Sequence, residues 1–381
     1  MARILLSSYM VRYPMGGMLS WALQYALGFH RLGHEVFLLE RADYPDACFD
    51  PERQTMSDNC RPGFATVRDL LARFGLEERL VFEDINHTLY GMNRTDLREI
   101  FRTADLLVDS GNHGAWLSEA RKEGIPTVLI DGEPGFTQIK MEQAAEESRE
   151  AREFDHYYSN GANIGTELTT APNAGRSWRH VFNPVDTALF QATSPPANSC
   201  FTTVMNWQSH APVRFKGKDY GQKDLEFARF MDLPQRISVP LEVAVAGQAP
   251  QQELQVNGWR LRDAHQVTRS YDGYRSYIAG SMGEFSVCKN VFVATRSGWF
   301  SDRSAAYLAS GRPVVLQDTG FSTHLPCGEG LFAVSDVEQA AVALEEIVSH
   351  YPRHARRARE LAETYLDARQ LMGRVLSDVG L

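Results

Sequence analysis

The chain has 381 residues, which at about 150 residues per domain predicts two domains. It carries 48 acidic against 39 basic side chains, a net charge of −9, so we expect no nucleic acid among its partners. Hydrophobic residues make up 43% of the chain, which suffices for two apolar cores and excludes a disordered protein.

The sequence predicts neither a membrane span nor a signal peptide. No apolar run approaches the roughly 18 residues of a membrane span, and the first ten residues lack the apolar region and cleavage site of a signal peptide. The five cysteines are scattered and form no CxxC pair, which predicts free thiols in the cytoplasm and no structural zinc. They are Cys48, Cys60, Cys200, Cys288 and Cys327.

The first forty residues predict a strand, a glycine loop, a helix and a second strand. Residues 3–7 are a short apolar run, and Gly16 and Gly17 lie in the loop that follows. Apolar residues then recur at helical spacing over 19–30, and residues 34–40 form a second apolar run. This order is typical of a βαβ unit, so a parallel sheet covered by helices is expected.

The same alternation continues to the end of the chain. Further strands are predicted at residues 79–82, 105–110, 126–131, 155–159, 200–205, 241–247, 291–294, 313–317 and 331–334. Further helices are predicted at residues 66–74, 138–153, 301–310, from 336 onward, and continuously from 351 onward. The proline-rich stretch 194–199 interrupts the pattern and is the best linker.

The predicted fold class is therefore α/β, with two Rossmann-like, doubly wound domains that face each other across a cleft. The N-terminal domain is expected to span residues 1–193 and the C-terminal domain residues 200–365. The amphipathic end, residues 366–381, is expected to cross back onto the N-terminal domain. A ligand is expected between the domains, at the carboxyl ends of the strands.

A candidate phosphate site lies where a helix begins in the second half. Ser301, Asp302, Arg303 and Ser304 open this helix, whose free N–H groups and dipole suit an anion. Arg303 or Arg296 could add a charge-assisted contact. The alternative is that Ser301 is an ordinary N-terminal cap.

Several motifs resemble the GT-B glycosyltransferases, and especially their group-1 branch. Residues 310–315, 318–320 and 328–332 are similar to the donor half of that superfamily. The glycine loop at 14–17 and the segment 182–190 resemble its N-terminal half and interdomain turn. The resemblance spans nearly the whole chain. It implies a nucleotide-sugar donor, a UDP-sugar for example, in the C-terminal half and an acceptor in the N-terminal half.

The chain departs from that family at two positions. The retaining group-1 branch would place glutamates near 298 and 306, where this chain has Gly298 and Ala306. Asp302 or Asp318 could take their place.

The remaining donor contacts are expected from two loops. In the family, an arginine and a lysine follow the first strand of the C-terminal half, and here that region holds Arg214 and Lys223 beside two further lysines. On the other wall, Gly16 and Gly17 lack Cβ atoms, so their backbone could approach a pyrophosphate closely.

The acid–base candidates lie at two predicted strand ends of the N-terminal half. Asp109 and His113 follow one strand, and Asp131 and Glu133 follow the next. An inverting transfer needs one base to deprotonate the acceptor hydroxyl, and Asp131 is the first choice. A retaining transfer would need no such base, and each residue could instead cap its loop.

The leading hypothesis is a metal-independent glycosyltransferase without a cofactor, which transfers a sugar from a nucleoside diphosphate to a small-molecule or saccharide acceptor. A nucleotide-sugar epimerase or hydrolase of the same fold is one alternative, and a non-catalytic nucleotide- or sugar-binding protein is another. Glu40, at the end of the second strand, keeps open a dehydrogenase that binds a ribose there. The sequence leaves the oligomeric state open.

Overall fold

The computed structural model describes residues 1–111, 113–149, 152–209 and 211–381. The N-terminal half is built around a parallel sheet in the order β10-β9-β8-β7-β1-β2-β5-β6, in which β6 alone runs antiparallel to its neighbour. Its strands are β1 (Arg3–Ser7), β2 (Glu35–Arg41), β3 (Cys48–Asp50), β4 (Thr55–Ser57), β5 (Leu80–Glu83), β6 (Leu89–Tyr90), β7 (Leu106–Asp109), β8 (Thr127–Asp131), β9 (His156–Ser159) and β10 (Trp178–His180). Its helices are α1 (Gly16–His30), α2 (Arg61–Ala72), α3 (Arg94–Arg102), α4 (Leu117–Glu123) and α5 (Phe136–Glu146).

The C-terminal half holds a second parallel sheet in the order β15-β14-β11-β16-β17-β18. Its strands are β11 (Phe201–Asn206), β12 (Val213–Phe215), β13 (Lys218–Tyr220), β14 (Leu241–Ala246), β15 (Arg260–Asp263), β16 (Gly283–Ser286), β17 (Val314–Gln317) and β18 (Leu331–Val334). Its helices are α6 (Lys223–Phe227), α7 (Gln251–Val256), α8 (Ala264–Thr268), α9 (Tyr271–Ala279), α10 (Asn290–Ala294), α11 (Asp302–Ala309), α12 (Val337–Ser349), α13 (Tyr351–Leu361) and α14 (Ala368–Asp378).

The central strands were predicted correctly from their apolar runs, because these strands are buried on both faces. Every residue of β7, β8 and β17 is buried, because helices cover both faces of each sheet. Strands in such a position are near-continuous apolar runs without alternation. The α/β fold class with two doubly wound sheets is confirmed.

One predicted strand is wrong. The apolar residues 291–294 belong to the short helix α10, and the strand of this region is β16, eight residues earlier. Strand β16 was missed because Glu284 lies in its middle, and a charged residue is rarely fully buried without a partner. Here Glu284 is paired, as described below.

The loops and the end of the chain differ from the expectations as well. The hairpins β3–β4 and β12–β13 and the short strand β10 were not predicted. The helix expected to run unbroken from 351 has a π-helical turn over 362–366, and Asp367 then caps a new helix, α14, by accepting from the Gln370 N–H at 3.1 Å.

The last helix, α14, packs against α1 of the N-terminal half. Gly28 of α1 makes room for it, because a Cβ there would lie 2.5 Å from Met372 Cγ and 2.8 Å from the Ala368 carbonyl oxygen. Val185 joins the two segments by donating to the Leu366 carbonyl at 2.8 Å and accepting from the Ala368 N–H at 3.0 Å. The division into domains at 1–193, 200–365 and 366–381 stays a prediction.

None of the described helices is both long enough and apolar enough to cross a membrane. The cytoplasmic location stays a prediction.

The α1–α14 contact can be tested with two glycines. Gly28→Ala should lower the free energy of unfolding by about 1–3 kcal/mol, because the added methyl group overlaps backbone atoms that cannot move freely. Gly373 on α14 is the matched control, since a Cβ there would meet Leu32 Cδ1 at an ordinary 3.8 Å. Gly373→Ala should stabilise by about 0.5–1 kcal/mol through helix propensity. Urea unfolding measures both, and equal effects would contradict this packing.

Candidate active site

The loops that follow the strands of the two sheets meet each other. Gly161 pairs with Trp299, and the Ala162 and Asn163 N–H groups donate to the carbonyls of Gly298 and Ser297 at 3.1 and 3.0 Å. The expected cleft between the halves is therefore bounded at this point by the segments 160–163 and 297–300.

This junction explains why glycine stands at 298, where the resemblance to the group-1 branch led us to expect a glutamate. Gly298 has a φ of +75°, and a Cβ there would lie 2.7 Å from the Asn163 nitrogen and 2.9 Å from that of Ala162. The approach of the N-terminal half therefore excludes any side chain. Ala306, at the second position where the resemblance implies a glutamate, lies on the buried side of α11.

Arg303 is committed to the interior of the C-terminal half. Its Nε donates to Glu284 at 2.5 Å, and its terminal nitrogens donate to Ser286 Oγ at 2.7 Å and the Val204 carbonyl at 2.9 Å. Glu284 has no exposed surface. Arg303 thus neutralises a buried carboxylate, which is a correction to its expected role as a direct phosphate ligand.

Lys223 is a cation of the expected donor region whose charge is not compensated by a described partner. It is the first residue of α6 and 8% exposed, and among the described residues its ammonium has no hydrogen-bond or ion-pair partner. Burial, followed by the nearby Arg303 charge, lowers its pKa to about 7. A cation held in this way is stabilised when an anion binds beside it.

The start of α11 lies in the same region. The side chains of Ser301 and Ser304 are buried, and the Ser304 hydroxyl has no hydrogen-bond partner within the described part of the chain. Ser301 occupies the N-terminal cap position without capping through its side chain. Partial removal from water raises the pKa of the Asp302 carboxyl.

Two other donor-site candidates have a different place in the structure. Arg214 lies on the hairpin β12–β13 with an exposed side chain, and its guanidinium is 3.7 Å from Asp219. A Cβ on Gly16 would lie 2.5 Å from the Ser270 carbonyl oxygen. Gly16 therefore lets the start of α1 pack against α9, a structural reason for glycine that needs no pyrophosphate. A Cβ on Gly17 would lie 3.9 Å from Tyr274, an ordinary distance, so packing does not require glycine there.

Asp131, the first choice for a catalytic base, is fully occupied. Its carboxylate accepts hydrogen bonds from Thr137 Oγ1, Gln138 Nε2 at 2.8 Å, Ser159 Oγ at 2.9 Å and the Glu133 N–H at 2.9 Å. Burial raises the pKa of its carboxyl against the effect of these bonds. Four donors fill the lone-pair sites of a carboxylate, so Asp131 fixes the loop 131–138 and is not free to reach an acceptor.

Asp109 and His113 lie at the neighbouring strand end. Asp109 is fully buried and accepts from the Gly114 N–H at 2.7 Å, so it holds its loop as Asp131 does. His113 has a φ of +53°, which is uncommon for a residue with a side chain. Removal from water, and then the Arg12 charge, lower the pKa of His113, which favours the neutral imidazole that a base requires.

Glu133 bridges the two halves of the protein. Its two carboxylate oxygens lie 2.6 and 2.7 Å from Lys289 Nζ, and Lys289 precedes α10 in the C-terminal half. Lys289 therefore does not pair with Glu284, the charged residue nearby in the chain, whose partner is Arg303. Reasoning from the sequence missed the ion pair between Lys289 and Glu133, because no local signal connects residues that are 156 positions apart.

Two further acids are also structural. Glu40 accepts from the backbone N–H groups of Met10, Val11 and Arg12 and from the Arg12 guanidinium, at 2.6–3.0 Å. This occupies the carboxylate that a dehydrogenase would need for ribose. Asp318 caps the loop after β17 by accepting from the Gly320 N–H at 2.8 Å and Ser322 Oγ at 2.8 Å.

Solved structures of the same fold decide the architecture. The chain matches an alpha-glucosyltransferase in complex with UDP-glucose and DNA containing an abasic site, with a TM-score of 0.57, 11% identity and 100% coverage of both chains. The fold is that of the GT-B glycosyltransferases. Anabaena HepE in complex with UDP-glucose matches with a TM-score of 0.57 and 12% identity, over 99% of this chain and 100% of that one. TarM matches the GT-B fold of this chain with a TM-score of 0.56 and 10% identity, over 100% and 99%. No family model and no curated protein sequence matches the chain.

The prediction that the protein has no nucleic-acid partner is wrong, because that partner class stays open. The alpha-glucosyltransferase with this GT-B fold has been solved with DNA in several complexes. Net charge was the only ground for the exclusion, and a net charge averages over the surface, whereas binding depends on where the cations lie.

The buried charge of Lys223 predicts an unusual stability profile. In the unfolded chain a lysine titrates near its ordinary value of about 10.4, and in the folded protein Lys223 titrates at about 7. Between these values the unfolded chain binds more protons, so wild-type stability should rise with pH across this window. Lys223→Met removes the buried charge. It should be more stable than the wild type at about pH 6, with the difference narrowing toward about pH 9.5.

Chemical unfolding at both pH values measures this difference. Lys122→Met, which alters an exposed lysine on α4, is the control and should show no such pH-dependent gain. A Lys223→Met variant that is less stable than the wild type at pH 6 would contradict an unpartnered buried ammonium.

Proposed function

We propose that the protein is a glycosyltransferase that transfers a sugar from a nucleoside diphosphate, with UDP as the first nucleotide to test. The observation that carries the proposal is the buried Lys223 ammonium, which has no partner among the described residues and is near the charge of Arg303, the second residue of α11. UDP or UDP-glucose bound to proteins of the same fold supports the choice of nucleotide.

The mechanism follows from charge. The leaving diphosphate gains negative charge in the transition state, and a cation held in place in a site of low dielectric stabilises that charge without reorganising. Lys223 supplies this cation, and the N–H groups at residues 301–304 supply a positive dipole. Because the chain itself provides both, the proposed mechanism requires no metal ion.

On the acceptor side, Glu133 and His113 remain the base candidates, while Asp131 and Asp109 position their loops. Glu133 is additionally the link to Lys289, so its carboxylate lies where the two halves meet. The acceptor class we propose is a small molecule or a saccharide, and a screen of acceptors must include DNA.

One departure favours a second candidate function. The absence of both family glutamates, at Gly298 and Ala306, would suit a non-catalytic protein that binds a nucleotide sugar.

Incubation with UDP-, GDP-, ADP- and dTDP-sugars separates these candidates. We expect slow donor hydrolysis, and faster turnover once the right acceptor is present. Lys223→Met should weaken binding of the nucleoside diphosphate roughly tenfold to a hundredfold, since it removes a charge-assisted contact of about 1.5–3 kcal/mol. Binding without any turnover over the full acceptor screen would favour the non-catalytic protein, and an epimerised donor would favour the epimerase.

The role of a base can be tested on the same assay. If transfer inverts the anomeric centre, Glu133→Gln or His113→Ala should lower turnover by at least about a hundredfold with donor binding little changed. Lys289→Met is the matched control for Glu133→Gln, because it breaks the same ion pair but keeps the carboxylate. Turnover within about threefold of the wild type in both base variants would indicate a retaining transfer without a side-chain base.

A further inference from the structure

A cavity of about 580 Å³ lies where the two halves and the end of the chain meet. One wall comes from the end of β10 and the segment after it, and another from the loop after β17. The π-helical turn at 362–366 and α14 form the remaining wall. The volume lies within the range of small-molecule sites in proteins.

The charged residues that line this cavity are all basic. Arg369 and Arg374 line it from α14, and His180 and His324 line it from the N-terminal and C-terminal halves. The two imidazole rings have their centres 5.6 Å apart. No acidic side chain of the described residues lines the cavity. In a chain with a net charge of −9, this local excess of basic groups favours an anionic ligand.

The two arginines are not neutralised by the protein. Both are exposed, and within the described part of the chain neither has an ion pair or a hydrogen bond. The acids at the two ends of α14 have other partners: Asp367 caps the helix, and Asp378 accepts from the Tyr158 hydroxyl at 2.8 Å. The guanidinium groups of Arg369 and Arg374 therefore keep their hydrogen-bond donors for a ligand.

The histidines can also donate to an anion. The amide of Asn163 donates to the Arg296 carbonyl at 2.9 Å, so its Oδ1 is the acceptor that lies 2.7 Å from His324 Nε2. This leaves His324 Nδ1 for the cavity. Removal from water lowers the pKa of both histidines, and the nearby His324 and Arg374 charges lower that of His180 further. An anion bound among these groups favours the protonated, donating rings.

The cavity also offers contacts for a group joined to the anion. The Tyr365 ring is half-buried in its wall, and Thr364 and Ser377 line it with exposed side chains. An aromatic ring packs against C–H groups, and hydroxyl groups both donate and accept hydrogen bonds. These residues suit a small organic molecule that carries the anion.

The cavity is separate from the proposed donor site. In the N-terminal sheet β9 lies between β8 and β10, so the junction segment 160–163, after β9, separates Glu133 from His180. Lys289 pairs with Glu133, and its charge also acts on Lys223. Lys223 therefore lies on the Glu133 side of the junction, and it does not line the cavity.

We propose that this cavity binds a small phosphorylated molecule, with Arg374, His180 and His324 as ligands of its phosphate. A phosphate has enough oxygen lone pairs for three donors, and the planar guanidinium pairs with two of its oxygens at once. Because the two histidines belong to different halves, the bound molecule would hold the halves in this arrangement. The proposal is independent of the proposed function, since it uses none of the donor-site residues.

The test is calorimetric titration of the full-length protein with inorganic phosphate and with glucose 6-phosphate as probes. We expect the wild type to bind glucose 6-phosphate more tightly than inorganic phosphate. Arg374→Gln should weaken binding of glucose 6-phosphate at least about tenfold, because it removes a charge-assisted contact. Arg356→Gln is the matched control, since it removes an exposed arginine of α13 outside the cavity. It should change the affinity by less than about twofold.

Thermal unfolding distinguishes a lost ligand contact from a damaged fold. Without ligand, Arg374→Gln should melt at the wild-type temperature, because Arg374 is exposed and has no partner among the described residues. With glucose 6-phosphate, the rise in melting temperature seen for the wild type should be lost in this variant.

Four results would overturn the proposal. The first is that neither probe binds the wild type at about 10 mM, and the second is an equal loss of affinity in the Arg356→Gln control. The third is a loss of glucose 6-phosphate binding in Lys223→Met, which would place the phosphate in the donor site. The fourth is a short DNA duplex whose binding depends on Arg374 while that of glucose 6-phosphate does not, which would assign this surface to nucleic acid.

Discussion

The candidate site depends on one buried ion pair inside the C-terminal half, between Glu284 and Arg303. Glu284 lies in the middle of β16 with no exposed surface, and Arg303 reaches it from the start of α11. Removing one partner of such a pair typically costs about 3–5 kcal/mol, because the other charge stays buried and unpaired. The pair therefore fixes α11 against β11 and β16. Lys223 is buried near the same arginine, and no carboxylate among the described residues pairs with it.

A second constraint acts between the halves. The segment 160–163 approaches the loop before α11 so closely that only glycine fits at 298. The ion pair between Glu133 and Lys289 joins the next strand ends along the cleft. The glycine at 298 is thus required by how the halves meet.

The sequence predicted the fold well where burial dominates. Strands such as β7 and β8 lie under helices on both faces, so their apolar runs are unmistakable. It failed at β16, because pairing with a residue nineteen positions later allows Glu284 to be buried in a strand. No periodicity contains that information.

The site was harder to predict for the same reason. Lys223 was predicted as a phosphate ligand from its place after the first strand of the second half, and that role stays a prediction. Asp131 and Arg303 have the residue types of a base and a phosphate ligand, but their hydrogen bonds are made to neighbours that only the folded chain brings together.

The central claim is that the Lys223 ammonium neutralises the diphosphate of the donor. Its most direct test is the number of protons taken up when UDP binds, from calorimetry at about pH 8 in buffers of different ionisation enthalpy. At that pH a lysine with a pKa of about 7 is mostly neutral, and an adjacent diphosphate would restore its charge. The account predicts uptake of about one proton per UDP in the wild type and none in Lys223→Met. Binding of UDP to the wild type without proton uptake would contradict it.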